Sequence, residues 1–288
     1  MKFSVFTAST PDWTPQEAAA TLAAQGWDGI EWRIVDQRPA DPPGFWAGNR
    51  STWPFTGLEE RVPEIDRVTA EAGLEISGIG GYEPASEHER VLTVLRATAA
   101  LGARQARVTM PATGGVTPYP QLFARTRADL EWVAQQAAEL GVKALVETHQ
   151  DTVTPSASAA LRLLDGLDPE HVGVIHDLGN LVVEGQENHR AAFEMLGPYL
   201  AHVHVKNARW VTTGEQCADG GAQWTYEWAG LTTGQASVGR YLGELRAHGY
   251  DGWVTVEDFS TELPLAKRTA GNLAYLQTLL GETHATNS

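Results

Sequence analysis

Four segments, VKALVETH (residues 142–149), VGVIHD (172–177), AHVHVKN (201–207) and GWVTVED (252–258), decide how this chain reads. Each is a short run of aliphatic and β-branched residues, the composition of a buried strand. Each also ends on a side chain able to bind a metal: Glu147, Asp177, His204 and Glu257. Four core strands would not all carry a carboxylate or imidazole at the same end without a partner for it, because burying an unpaired charge is costly. A divalent cation with an open coordination position supplies that partner, since hard and borderline ions take carboxylate oxygen together with imidazole nitrogen.

Outward from these segments the chain keeps one rhythm. Strand-like runs at 2–7, 26–34, 74–80 and 103–110 precede them, and helical patterns fall at about 15–25, 58–71, 87–101, 119–140, 156–167, 188–196, 235–248 and 264–280. The first helix carries a full start signal, with Thr14 as N-cap, Pro15 in the first helical position and Glu17 three residues after the cap. Strict alternation of eight strands with eight helices predicts an α/β fold, a single (β/α)8 TIM barrel domain over residues 1–288. A dinucleotide-binding sheet would need a glycine-rich turn after its first strand, and TASTPDW at 7–13 has no glycine. In a barrel the loops that follow the strands share one face, so the four candidate ligands should meet there. Residues 36–55 and 207–233 should form long loops over that face, against the ~2–6 residues usual for such connections.

Composition narrows the partners. A net charge of −15 disfavours nucleic acid and anionic membrane surfaces, which are bound mostly through Lys and Arg. No segment approaches the ~18 apolar residues of a membrane span, and MKFSVFTASTPDW lacks the apolar stretch of a secretion signal. The lone Cys217 excludes an internal disulfide, so a soluble, cytoplasmic protein acting on a small molecule is expected, with a homo-oligomer compatible. Ten Trp is a high count, and Trp13, Trp46, Trp53, Trp210, Trp224 and Trp228 fall in the expected loops. Indole stacks on the C–H faces of sugars and polyols, although the same residues could pack the loops or a second subunit. Trp13 and Trp210, close behind strand ends, are the better pocket candidates.

The motifs VETH, HDLGN, HVHVKN and GYDGWVTVED resemble, in order, the strand-end motifs of the xylose isomerase-like barrels, which include sugar-phosphate isomerases and epimerases, ketose 3-epimerases, inosose dehydratases and endonuclease IV. The resemblance implies one divalent ion, Mn²⁺ first with Mg²⁺, Co²⁺ or Zn²⁺ as alternatives, bound by Glu147, Asp177, His204 and Glu257. It also implies that Glu147 and Glu257 exchange protons with the substrate. Asn180 stands where some epimerases have His, and Arg209 lies one position before their Arg. Isomerase, epimerase and dehydratase of keto-inositol or dehydroshikimate type therefore all stay open, as does a non-catalytic polyol-binding barrel.

The chemistry fits the residue types. Taking a proton from carbon beside a carbonyl leaves an enediolate, which a divalent cation stabilises while carboxyl groups on its two faces remove and return the proton. The competing expectation makes Glu147 and Glu257 buried partners of Arg33 or Arg107. Strand alternation places His149 on the pocket side, either binding a substrate hydroxyl or hydrogen-bonding a metal ligand, and Lys206 beside it, either neutralising an enediolate or phosphate or pairing with a neighbouring carboxylate. Arg209 and Trp13 complete the candidate substrate contacts. Glu31 and Arg33 share the inward face of the second strand, as an ion pair in the barrel mouth or with Glu31 touching substrate. His202 should lie one layer deeper, and His176 should face the helices.

Overall fold

The computed structural model describes residues 1–281. Its strands are β1 (Lys2–Phe6), β2 (Gly29–Ile34), β3 (Glu75–Gly81), β4 (Gln105–Arg107), β5 (Lys143–Glu147), β6 (Val172–Asp177), β7 (Leu200–Val205), β8 (Asn207–Gln216), β9 (Ala222–Ala229) and β10 (Trp253–Val256). All except β8 and β9 run parallel and close into an eight-stranded barrel in which β10 pairs with both β7 and β1. The covering helices are α1 (Pro15–Gln25), α2 (Leu58–Ala72), α3 (His88–Ala100), α4 (Tyr119–Leu140), α5 (Ala157–Leu164), α6 (Leu178–Glu184), α7 (His189–Leu196), α8 (Val238–His248) and α9 (Leu265–Leu280). This is the TIM barrel that the alternation predicts. The capping box at Thr14 and Glu17 starts α1, and Gly26 in a left-handed conformation ends it.

Most of the core lies between strands and helices, where Trp32, Ile34, Leu58, Ile65 and Phe193 are fully buried. Inside the barrel polar residues replace many aliphatic ones, a composition that only a hydrogen-bonded interior tolerates. Strand register sets the site: Asp177 pairs across from His204, and His204 pairs in turn with Thr255, one residue before Val256 and two before Glu257. Because side chains alternate, a slip of one residue would turn this whole set outward.

Three expectations require correction. The strand expected over 103–110 is regular as β4 over only three residues, with isolated pairing beyond it: Val108 N–H donates to the Leu145 carbonyl (2.9 Å) and Thr109 bridges Pro84. Residues 207–229, expected as loop, form an antiparallel hairpin of β8 and β9 that stands off the barrel and is largely exposed. A short helix, α6, begins directly at Asp177 where none was expected. Residues 36–55 are irregular, as expected, and are held by Arg33, whose Nη1 donates to the Phe45 carbonyl (3.0 Å) and Thr52 Oγ1 (3.1 Å). Arg33 therefore anchors this loop instead of pairing with Glu31. Among the described residues no helix is long and apolar enough to cross a membrane.

Candidate active site

The C-terminal ends of β5, β6, β7 and β10 bring Glu147, Asp177, His204 and Glu257 together, with one donor atom of each lying within 4.8 Å of the others. From His204 Nδ1 the distances are 3.2 Å to Glu147 Oε1, 3.4 Å to Glu257 Oε1 and 3.7 Å to Asp177 Oδ2. Bonds of ~2.1 Å to a shared ion would leave neighbouring ligand atoms ~3.0–3.4 Å apart, so this spacing suits a cation with little movement. Three carboxylates and one imidazole form a donor set for a hard or borderline divalent ion. Positive charge is already drawn to this place. Lys206 Nζ lies 2.6 Å from Asp177 Oδ2 and 2.5 Å from Glu257 Oε2, and Arg107 Nη1 lies 2.8 Å from Glu147 Oε2.

Local sequence explains how the ligands are aimed. Asp177 ends β6 and caps α6, its Oδ1 accepting from the Asn180 amide at 2.8 Å, which leaves Oδ2 to face the cluster. Asn180 turns back from the first turn of α6 and donates to the Thr148 carbonyl (3.1 Å) and Glu147 Oε1 (3.4 Å), while its own buried Oδ1 has no partner. Gly179 makes the packing of α6 possible, since a Cβ there would sit 2.2 Å from Lys206 Cγ. The His204 ring stacks on Phe6 with centroids 5.8 Å apart. Phe6 fits because Gly80 has no side chain: a Cβ at that position would lie 2.1 Å from Phe6 Cε2.

The charges separate the two glutamates. Burial alone would raise the Glu147 carboxyl, but Arg107, the bond to His204 and Lys206 outweigh it and hold the group well below its ordinary value. Burial raises Glu257, and the neighbouring Glu147 and Asp177 add to the effect against the pull of Lys206 and His204. Burial would likewise lower the His204 imidazole, yet Glu257, Glu31, Asp177 and Glu147 keep it well above its usual range. Burial opposes the charge of Lys206 as well, and Asp177 and Glu257 raise it despite that.

A cavity of about 140 Å³ opens over this cluster, walled by Trp46, Tyr82, Met110, His149 and Lys206 with Glu147 and Glu257 at its base. His149 and Lys206 thus stand where alternation puts them. Glu31 does not reach the cavity; it lies beneath His204, 3.1 Å from its Nε2. Arg209 sits on the exposed hairpin paired with Glu227 at 2.6 Å, and Trp13 packs against the core behind β1. Trp210 donates through Nε1 to the Val182 carbonyl, bracing the hairpin against α6, while the Trp228 ring lies 5.4 Å from Lys206 Nζ. The expectation of an arginine partner holds for Arg107, so Glu147 is both ion-paired and part of the cluster. Sequence reasoning gave no role to Asn180, to Tyr82 in the cavity wall, or to Phe259, whose ring meets Trp46 at 4.8 Å and Trp228 at 5.8 Å and lies 5.8 Å from Lys206 Nζ; the aspartate opening a helix three residues before Asn180 was the available signal. A larger open depression of about 1090 Å³ lies at the opposite end of the barrel, where Lys2, Glu75 and Asp251 line it. Ligand sites in TIM barrels lie at the C-terminal end, and the size of that groove does not outweigh the converging donors above.

A sequence model described as the xylose isomerase-like TIM barrel matches residues 19–279. Inosose dehydratase from Lacticaseibacillus casei is 26% identical over 137 residues, 46% of either chain, so the match spans about half the length of that curated relative. The fold is similar to that of 3-keto-D-glucoside 4-epimerase from E. coli, with a TM-score of 0.72 and 17% identity over 96% of this chain and 99% of that one. It is also similar to a D-psicose 3-epimerase crystallised in the presence of D-fructose, with a TM-score of 0.71 and 14% identity over 98% of this chain and 100% of the other.

Proposed function

The chain belongs to the xylose isomerase-like TIM barrel family, and from that premise we propose that it is a divalent-metal-dependent isomerase or epimerase of a sugar, sugar phosphate or cyclitol. The observation that carries this reading is the placement of Glu147 and Glu257, which contribute to one cluster of metal donors and also line one cavity. A binding protein has no need of two carboxyl groups in both positions.

Glu147, Asp177, His204 and Glu257 would hold the ion, with Mn²⁺ first among the candidates, and a bound divalent ion supplies Lewis-acid stabilisation of enediolate oxygens. The rest of the work falls to side chains of this chain. Glu147, kept ionised by Arg107, is suited to accept a proton from carbon, and Glu257, whose carboxyl is raised by burial, is suited to return one. Lys206 and His149 reach the same cavity and can bind substrate oxygens, while Trp46 offers an aromatic face to a polyol. A cytoplasmic setting suits the exposed, unpaired Cys217.

The likeness to inosose dehydratase favours one second reading, in which proton removal is followed by loss of a β-hydroxyl as water. Both readings are tested by incubating metal-stripped protein with candidate ketoses and keto-cyclitols in deuterated water, with and without Mn²⁺. The proposal expects deuterium on carbon only when metal is present, with epimer or isomer as product. An unsaturated product identifies the dehydratase instead, and absence of exchange with every ketose and keto-cyclitol while the metal is bound refutes acid–base catalysis.

A further inference from the structure

Beneath the metal donors the barrel holds a second set of buried polar groups that the proposed chemistry does not use. Glu31 is 1% exposed, and its Oε2 lies 2.8 Å from His202 Nε2 and 3.1 Å from His204 Nε2. Glu31 takes the inward face of β2, alternating with Ile30 and Trp32 in the hydrophobic core, and the register shift opposite it leaves Ser77 of β3 as the extra residue.

The hydrogen-bond pattern fixes where the protons are. Gln105 Nε2 lies 3.0 Å from the Ser77 carbonyl, which can only accept, so this atom is the amide nitrogen. The same nitrogen is 2.8 Å from His202 Nδ1, which must therefore accept, leaving the single proton of a neutral His202 on Nε2. That proton faces Glu31 Oε2, with Thr255 Oγ1 as a second neighbour at 2.9 Å. Glu31 Oε2 is likewise the partner of His204 Nε2, so that nitrogen also carries a proton. Nδ1 of His204 is thereby the nitrogen that faces Glu147, Asp177 and Glu257, and the one whose proton a bound cation would replace.

We propose that Glu31 is the positioning residue of the site: it locks the His204 ring with Nε2–H pointing down and Nδ1 pointing to the metal donors, and the chain Ser77–Gln105–His202 holds Glu31 in place. The assignment rests on the metal-site reading above. It also answers a competing possibility, because the donors of Glu31, His202 and His204 converge closely enough to suggest a second ion. With both Nε2 atoms protonated toward one carboxylate, neither histidine has a lone pair to give there.

The test is Co²⁺ binding by calorimetry and visible absorption to metal-stripped wild type, Glu31→Leu, Glu31→Gln and His204→Ala, with melting curves to establish that each variant folds. Loss of an outer carboxylate partner typically weakens metal affinity ~10–100-fold, and Glu31→Leu should fall in this range. Glu31→Gln keeps an oxygen acceptor and should recover part of the affinity; it also carries the test if the leucine variant does not fold. In zinc-loaded protein, nitrogen-15 spectra should show His204 protonated at Nε2 in wild type, with that hydrogen-bonded signal lost in Glu31→Leu. Wild-type affinity and ligand-field spectrum in both Glu31 variants, alongside lost binding in His204→Ala, would overturn the role of Glu31 alone. Wild-type binding by His204→Ala would instead overturn the metal-site reading, and two bound ions per wild-type chain would overturn the proton assignment.

Discussion

Replacing Lys206 by Met separates the two cations that can neutralise the carboxylate cluster. In the metal-free protein the ammonium lies 2.6 Å from Asp177 and 2.5 Å from Glu257, and all three side chains are buried. Removing one partner of a buried ion pair costs ~3–5 kcal/mol, because it leaves charge without compensation. For a chain of this size ~1 kcal/mol corresponds to about 2 °C, so the metal-free variant should melt about 6–10 °C below wild type. Protonation relieves part of this cost. The Glu257 carboxyl is already raised by burial, and without Lys206 it rises further, so the deficit should be smaller at pH 5 than at pH 8. Saturating Mn²⁺ should restore the variant more than it stabilises wild type, since in wild type the ion competes with the ammonium for Asp177 Oδ2. The assay is thermal unfolding of both proteins in chelator and in excess Mn²⁺, with Lys206→Arg as the control that keeps the charge. Equal melting of metal-free Lys206→Met and wild type, or a deficit that Mn²⁺ leaves unchanged, would refute the idea that Lys206 and the ion serve the same carboxylates.

Substituting Gln for Glu147 or Glu257 keeps size and an oxygen ligand while removing proton transfer, so turnover should fall ~10²–10⁴-fold with metal content largely retained; full turnover by both variants would remove the two-glutamate mechanism. Gly80→Ala should cost ~1–3 kcal/mol through the clash with Phe6, and should weaken metal binding as well because Phe6 supports the His204 ring; calorimetry of unfolding and of Co²⁺ binding reads both. His189 is lowered to about 4, first by burial and then by His176 and Arg240, so the unfolded chain binds more protons and stability falls as pH drops from 6.5 toward 4. Allowing for the partly exposed ring, His189→Phe should reduce the loss of stability between pH 7 and pH 5 by about 1 kcal/mol in urea titrations. Trp46→Ala should raise KM up to ~10-fold through loss of a stacking face worth ~0.5–1.5 kcal/mol, with little change in melting temperature.

The barrel was legible because strand-like runs alternate strictly with helical patterns, and the four runs that end on a carboxylate or imidazole marked Glu147, Asp177, His204 and Glu257 as candidates. What escaped was local or distant in sequence. The seven residues of α6 include Gly179 and Asn180 and have no room for an amphipathic period, so only the cap at Asp177 announced them. The hairpin at NARWVTTGEQ is exposed on both sides over most of its length, which removes the alternation that identifies a half-buried strand. Alternation correctly turned Glu31 inward, but parity gives the face and not the layer, so it did not show that Glu31 lies beneath His204. Arg107 was one of two arginines expected beside Glu147 or Glu257, but these residues stand on different strands, and nothing in their spacing chooses Arg107 for Glu147 and Lys206 for Glu257.

Anomalous diffraction from a crystal soaked in Mn²⁺ tests the central claim most directly. One anomalous peak is expected, ~2.0–2.3 Å from ligand atoms of Glu147, Asp177, Glu257 and His204, with His204 contributing Nδ1. A peak elsewhere, or an empty cluster with Lys206 still seated between Asp177 and Glu257 at saturating Mn²⁺, would contradict it.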